Sequence, residues 1–206
     1  MPNLLETSTQ GPPELPEFFQ NAVRAARGLL GWIVVRRDGR GGLRSGRIVE
    51  TEAYPHDDPA CHAFRGRTER NASMFREAGH AYVYRIHRSY CLNVVTGPPG
   101  QGEAVLIRAL EPLEGIARME RARRRLSPGR CAPPRDQLTN GPGKLCQALE
   151  IDTSLDGCWL FDPTGPLCLV PGTPPAAVAC STRIGISKAR DERLRFYEPH
   201  NPWVSR

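Results

Sequence analysis

A carboxylate and a phenol two residues apart close the run Arg47-Ile48-Val49-Glu50-Thr51-Glu52-Ala53-Tyr54. Val49, Thr51 and Ala53 alternate with Ile48, Glu50, Glu52 and Tyr54, a strand pattern. Strand side chains two apart share a face, roughly 7 Å from one another. Glu52 and Tyr54 are therefore expected to point the same way. A carboxylate so placed can activate water or stabilise a cation, and an aromatic ring beside it can stack a flat substrate. Such a pair also occurs as a solvated strand residue next to a core edge, because structural carboxylates outnumber catalytic ones. What surrounds the pair has to decide.

Three further groups carry chemistry. In Glu103–Leu110, Leu106, Arg108 and Leu110 alternate with Val105, Ile107 and Ala109. Arg108 thus shares a face with apolar residues, and a partly buried arginine needs a carboxylate or a phosphate. The polar stretch from Pro55 to Ala72 holds His56, Asp57, Asp58, Cys61, His62, Arg65, Arg67, Arg70 and Asn71, and a loop this long is usually functional or disordered. Its spacing fits no zinc pattern and no second Cys/His cluster completes four ligands, so no metal is expected. His62 reads instead as a packing or hydrogen-bonding group at a pocket wall. The glycine-rich turn Asn140-Gly141-Pro142-Gly143 leads into a short helix carrying Lys144. Free amides at that helix start, with Lys144, can hold a phosphate. A simple cap with an exposed lysine fits as well, and the spacing is not that of a nucleotide-binding P-loop.

The elements that must position these groups follow from periodicity. Residues 1–16 are polar and proline-rich, which predicts a flexible leader and no secretion signal. Phe18, Phe19, Val23, Ala26 and Leu30 predict an amphipathic helix ended by Gly31. Trp32–Arg36 and Leu43–Tyr54 predict a hairpin about the turn at Asp38–Gly42, with Glu52 at its far end. Ala81–Ile86 and Tyr90–Val95 predict a second hairpin whose basic tip is His87-Arg88-Ser89. In a basic protein that object suits a nucleic-acid groove. Pro112 is expected to open a helix reaching about Leu126, with Arg121, Arg123, Arg124 and Arg125 on a solvated or phosphate-facing side. Short strands are expected near Trp159–Phe161 and Leu167–Val170, after which Arg183–Ser187, Leu194–Tyr197 and Pro202–Ser205 close the chain. The class is therefore α+β: one compact domain over residues 17–206, a mixed, mostly antiparallel sheet with surrounding helices.

The totals agree. A chain of 206 residues can bury one core. No apolar run is long enough to span a bilayer. Seven scattered cysteines without a C-x-x-C pair favour reduced thiols over a disulfide framework. A formal net charge of +6 points to a polyanionic partner, nucleic acid before membrane.

Several ordered blocks carry a resemblance. They are Val49–Tyr54, Arg70-Asn71, Ala81–Tyr84, Cys91-Leu92-Asn93, Leu106–Gly115, Gly141–Leu149, Leu194–Tyr197 and Pro202–Ser205. Together they resemble the alkyladenine (3-methyladenine) DNA glycosylase family over nearly everything from Phe18 onward. The resemblance implies a monofunctional, cofactor-free hydrolase that flips a damaged purine out of duplex DNA, cuts its N-glycosidic bond and begins base excision repair. It implies a hairpin inserted in the minor groove, a monomer, and a place wherever the cell keeps its DNA. By the same resemblance Glu52 is the catalytic carboxylate and Arg108 helps hold the water and the flipped nucleotide's phosphate. Tyr54, His62 and Tyr84 wall the base pocket, and Asn93 abuts the position of guanine's exocyclic amine. Arg85, Arg88 and Lys144 become candidates for the DNA backbone.

Two positions depart from the family's human member. That protein has a tyrosine at the hairpin tip where His87 stands here, which implies a weaker plug helped by Arg85 and Arg88. The loop between Tyr54 and His62 is one residue shorter.

Overall fold

The computed structural model describes residues 15–126 and 133–205. Almost all of the expected leader, and the start of the loop at Cys131, lie outside the described residues. The architecture is α+β, a single domain built on an eight-stranded sheet in which every neighbouring pair is antiparallel. The strands are β1 (Ile33–Arg37), β2 (Leu43–Tyr54), β3 (Ala81–Ile86), β4 (Ser89–Thr96), β5 (Glu103–Glu114), β6 (Leu167–Val170), β7 (Ala179–Ser181) and β8 (Arg195–Tyr197). The order is β3-β4-β5-β2-β1-β6, with β8 on β2 and β7 on β8.

Strand β2 is the axis of the molecule. On one edge β5 runs along most of its length. On the other, β1 pairs its first half and β8 pairs Glu50, Thr51 and Glu52. Both backbone edges are thus covered where the carboxylates lie. The ladder between β2 and β5 is irregular there: Ile48 pairs with Leu110, Glu50 with Ala109 and Thr51 with Ile107. Val49 and Arg108 are each an extra residue, and such bulges re-aim side chains. Before the bulge Val105 and Ile107 enter the core, and after it Leu110 does.

The helices cover one side of this frame. The segment expected as one helix from Phe18 to Leu30 is two pieces, a 3-10 turn at Glu17–Gln20 and helix α1 at Ala22–Gly28. Asn21 divides them. Its backbone is extended, and its side chain accepts hydrogen bonds from the Val23 and Arg24 amides, capping α1. The buried face of α1 is Ala22, Ala25 and Ala26. These small side chains let the helix approach β2 closely enough for the Thr51 hydroxyl to donate to the Ala26 carbonyl at 2.7 Å.

Pro112 does not open a helix. Strand β5 continues to Glu114, with Pro112 opposite Gly46 beside a register shift, where a missing amide costs least. Gly115 then turns the chain with φ +72°, pressed against the Leu43 carbonyl, and α2 runs over Ile116–Arg125. Helix α3 (Pro142–Leu149) has its proline in the first turn and buries Leu145, Cys146, Ala148 and Leu149.

One expected strand does not form. Trp159–Phe161 makes only a single bridge, from Trp159 to His80. Arg183–Ser187 and Pro202–Ser205 are irregular, and the short edge strand β7 lies just before the first of them. Beside the main core lies a smaller cluster of Cys61, Ala63, Met74, Tyr82, Val95 and Ala104, with Tyr54, Phe75 and Tyr84 packed against it. No helix among the described residues is long and apolar enough to cross a membrane.

Candidate active site

A cavity of about 380 Å³ opens between β2, β3, β4, β5 and the loops around residues 60 and 185. Its walls include Tyr54, His62, Tyr84, Asn93 and Arg108, five of the residues singled out in the sequence. The aromatic walls are rigid because they back onto the smaller core cluster. His62 sits edge-on to Tyr84 with ring centroids 4.5 Å apart, and its Nδ1 lies 3.0 Å from the Tyr82 hydroxyl. Burial, assisted by the positive charge of Arg70, lowers the His62 pKa below its ordinary value. The imidazole is therefore neutral at neutral pH. Asn93 donates from Nδ2 to the Tyr82 carbonyl at 3.0 Å, which fixes its amide at the cavity wall.

Glu52 has no exposed surface and is not one of the residues that line this cavity, but the three groups that hold it come from residues that do. The phenol of Tyr54 donates to its Oε2 at 2.9 Å, the same-face contact expected from the strand period. The Ile184 amide donates to Oε1 at 2.8 Å, and Arg108 Nη1 stands 3.3 Å from the same oxygen. Burial, and then the Glu52 carboxylate, raise the Tyr54 pKa, so the phenol stays protonated and remains a donor. Burial alone would lower the Arg108 pKa, but Glu52 and Glu50 together raise it.

Glu50 was not singled out in the sequence, although period 2 puts it on the face of Glu52. It is fully buried. It accepts from Arg108 Nε at 3.1 Å, Arg195 Nε at 2.6 Å, and the Ser205 amide and hydroxyl, each at 2.7 Å. Arg108 is thus gripped from behind by Glu50 and presents Nη1 to Glu52. Of the two partners the sequence allowed for Arg108, a carboxylate or a phosphate, the fold supplies two carboxylates. Arg195 and Ser205, distant in sequence, gave no local signal.

The remaining candidates lie outside the cavity. His87 and Arg88 form a two-residue turn between β3 and β4, and Arg85, His87 and Arg88 are all exposed. His87 has φ +49°, a position that two-residue hairpin turns usually give to glycine or asparagine. Lys144 is half-buried, its Nζ 2.8 Å from the Asn140 side chain. Burial, then Arg123, lower its pKa. The start of α3 abuts the hairpin, since the Ser89 hydroxyl donates to the Gly143 carbonyl at 3.0 Å. Among the described residues, no group of three or more His, Cys, Asp or Glu side chains is arranged to hold a metal ion.

The chain that carries this aromatic slot, with a buried carboxylate behind it, is similar to known proteins over most of its length. The methylpurine-DNA glycosylase family model matches residues 17–202, and the chain belongs to that family. A Methanoculleus marisnigri protein assigned as a 3-methyladenine DNA glycosylase is 46% identical over 200 residues, covering 93% of this chain and 98% of that one. A Mesorhizobium japonicum protein with the same assignment is 50% identical over 196 residues, covering 93% and 88%. The DNA-3-methyladenine glycosylase of Mus musculus is 46% identical over 208 residues, covering 92% of this chain and 60% of the mouse protein.

Proposed function

We propose that the chain is a monofunctional DNA-3-methyladenine glycosylase, a base-excision-repair hydrolase, and that the aromatic cavity is its base pocket. One observation carries the reading: the buried Glu52 lies directly behind a slot walled by Tyr54, His62 and Tyr84, bound to three of its lining residues through the Tyr54 phenol, the Ile184 amide and Arg108. At about 380 Å³ the slot falls within the ~300–1,000 Å³ typical of small-ligand sites.

A purine inside a duplex is out of reach, so the nucleotide swings out of the stack and the base enters the slot. Rings on its flanks favour a cationic, alkylated base by the attraction of a cation for an aromatic face. Asn93 crowds the edge where guanine carries its amino group, which disfavours the undamaged base. Glu52 takes a proton from a water aimed at the anomeric carbon and stabilises the positive charge that develops on the sugar. An N3- or N7-alkylated purine leaves without further protonation, so one carboxylate suffices. Arg108 orients the water and meets the flipped nucleotide's phosphate. The hairpin enters the minor groove with His87 in the vacated space, and Arg85, Arg88 and Lys144 contact phosphates.

The test is release of 7-methylguanine and hypoxanthine from synthetic duplexes. Glu52→Gln is expected to lose excision by about 10²–10⁴-fold, the usual scale for general-base catalysis, while lesion-DNA binding persists. Borohydride is expected to trap no covalent complex, since Lys144 is not a nucleophile in this reading. Base release unaffected by Glu52→Gln would overturn it, and retained binding with no release by the parent protein would leave a damage-binding protein instead.

A further inference from the structure

Behind Tyr54, on the side the cavity does not reach, lies a buried ion pair with no part in the steps above. The Arg183 guanidinium carbon sits 4.7 Å from the centre of the Tyr54 ring. Arg183 has no exposed side-chain surface and does not line the cavity, so it covers the ring's other face. Its Nη1 donates to the Ala53 carbonyl at 3.0 Å and forms a salt bridge with Asp58. Its Nε and Nη2 are buried with no hydrogen-bond partner among the described residues. Beyond the Ala53 carbonyl, the Tyr54 ring and the Asp58 carboxylate are the groups that offset this buried charge. Asp58 also accepts from the Ala60 amide at 2.8 Å, shaping the turn that leads to His62.

A ring that carries a cation on one face has less attraction to offer a cation on the other. A base stacked on the open face lies roughly 8 Å from the guanidinium, allowing one stacking distance beyond the ring. At that separation and an effective dielectric of about 20, an unbalanced unit charge would weaken a cationic base by more than tenfold. Asp58 removes that penalty by making the pair neutral.

We propose that the Asp58–Arg183 pair is a specificity determinant: its neutrality sets how strongly Tyr54 prefers a cationic over a neutral damaged base. This deepens the glycosylase reading and rests on it. The pair touches neither base nor sugar and acts through the ring.

The measurement is single-turnover excision against enzyme concentration, on matched duplexes holding 7-methylguanine, cationic when bound, or hypoxanthine, neutral when bound. The readout is the ratio of the two half-saturating concentrations. Asp58→Asn leaves the arginine unbalanced, and half-saturation on 7-methylguanine is expected to rise about tenfold relative to hypoxanthine. Arg183→Gln leaves the carboxylate, and the ratio moves the other way. The double variant D58N/R183Q is neutral again and returns to the parent ratio. Opposite shifts that cancel cannot come from general loss of structure, and if Asp58→Asn does not fold, the direction of the Arg183→Gln shift decides. A ratio unchanged in every folded variant, or shifted the same way by both single changes, overturns the proposal. Absence of base release from either duplex by the parent protein would instead be a failure of the glycosylase reading.

Discussion

The charged cluster behind the cavity and the tip of the β3–β4 hairpin are built on opposite plans. In the cluster, Glu50, Glu52 and Arg108 are buried, and every charge has a fixed partner. At the tip, Arg85, His87 and Arg88 stand in solvent, and Arg85 has only the His87 carbonyl, at 3.2 Å, as a side-chain hydrogen-bond partner among the described residues. In the proposed reading the buried charges serve chemistry at a sugar carbon, which needs atoms that do not move in a low-dielectric frame. Under the same proposed reading the tip meets a polyanion, and groups with that task need to stay hydrated and unpaired until it arrives. The same residue type, arginine, is used in both places and differs only in what holds it.

That contrast can be broken first at its rigid end. Glu50→Ala removes a carboxylate partner from the buried Arg108 and the part-buried Arg195 and is expected to cost about 3–5 kcal/mol of folding stability, read from urea unfolding. Arg88→Ala is expected to leave the urea midpoint unchanged, and equal losses from both would erase the distinction. The next effect concerns the tip itself. His87→Ala is expected to slow excision from paired duplex roughly tenfold more than from single strands, because only the duplex has a gap to fill. Equal slowing on both would remove the plug role. Smaller still, Arg88→Ala is expected to weaken binding uniformly and reduce the logarithmic salt slope by about 1, because one phosphate fewer is neutralised. An unchanged salt slope would place Arg88 away from the backbone.

The smallest effect belongs to the wall between the two regions. The His62 pKa is lowered by burial and by Arg70, so its neutral form is favoured by folding. That contribution is complete above the unfolded value of about 6.5 and is lost as pH falls below it toward the folded value. Urea midpoints at pH 7 and pH 5 are expected to differ less in His62→Asn than in the parent. An identical acid-side loss in both would place the titration elsewhere.

Much of the site could be read from the chain because it lies on strands. The two-residue period put Glu52 beside Tyr54, and an arginine among apolar neighbours demanded a carboxylate or a phosphate. Both relations are local. Glu50 obeys the same rule, but alternation alone does not say which of two carboxylates lies behind a cavity. Arg183, Arg195 and Ser205 reach the site from irregular or very short segments, and no periodicity announces them. The fold departs from its pattern where a single residue overrides the periodicity. Asn21 cuts a helical run in two by capping from an extended backbone, and Pro112 sits in a strand at a ladder irregularity rather than starting a helix.

The Ser205 clasp on Glu50 has a consequence for how the enzyme comes into being. The two residues are separated by 155 positions. A nascent chain still short of position 205 already carries the strands that form the slot but leaves Arg108 incompletely braced. A chain stopped just ahead of that serine would keep every group that the proposed reaction uses, yet would lose the two donors that Ser205 gives Glu50 and its contact with Arg108.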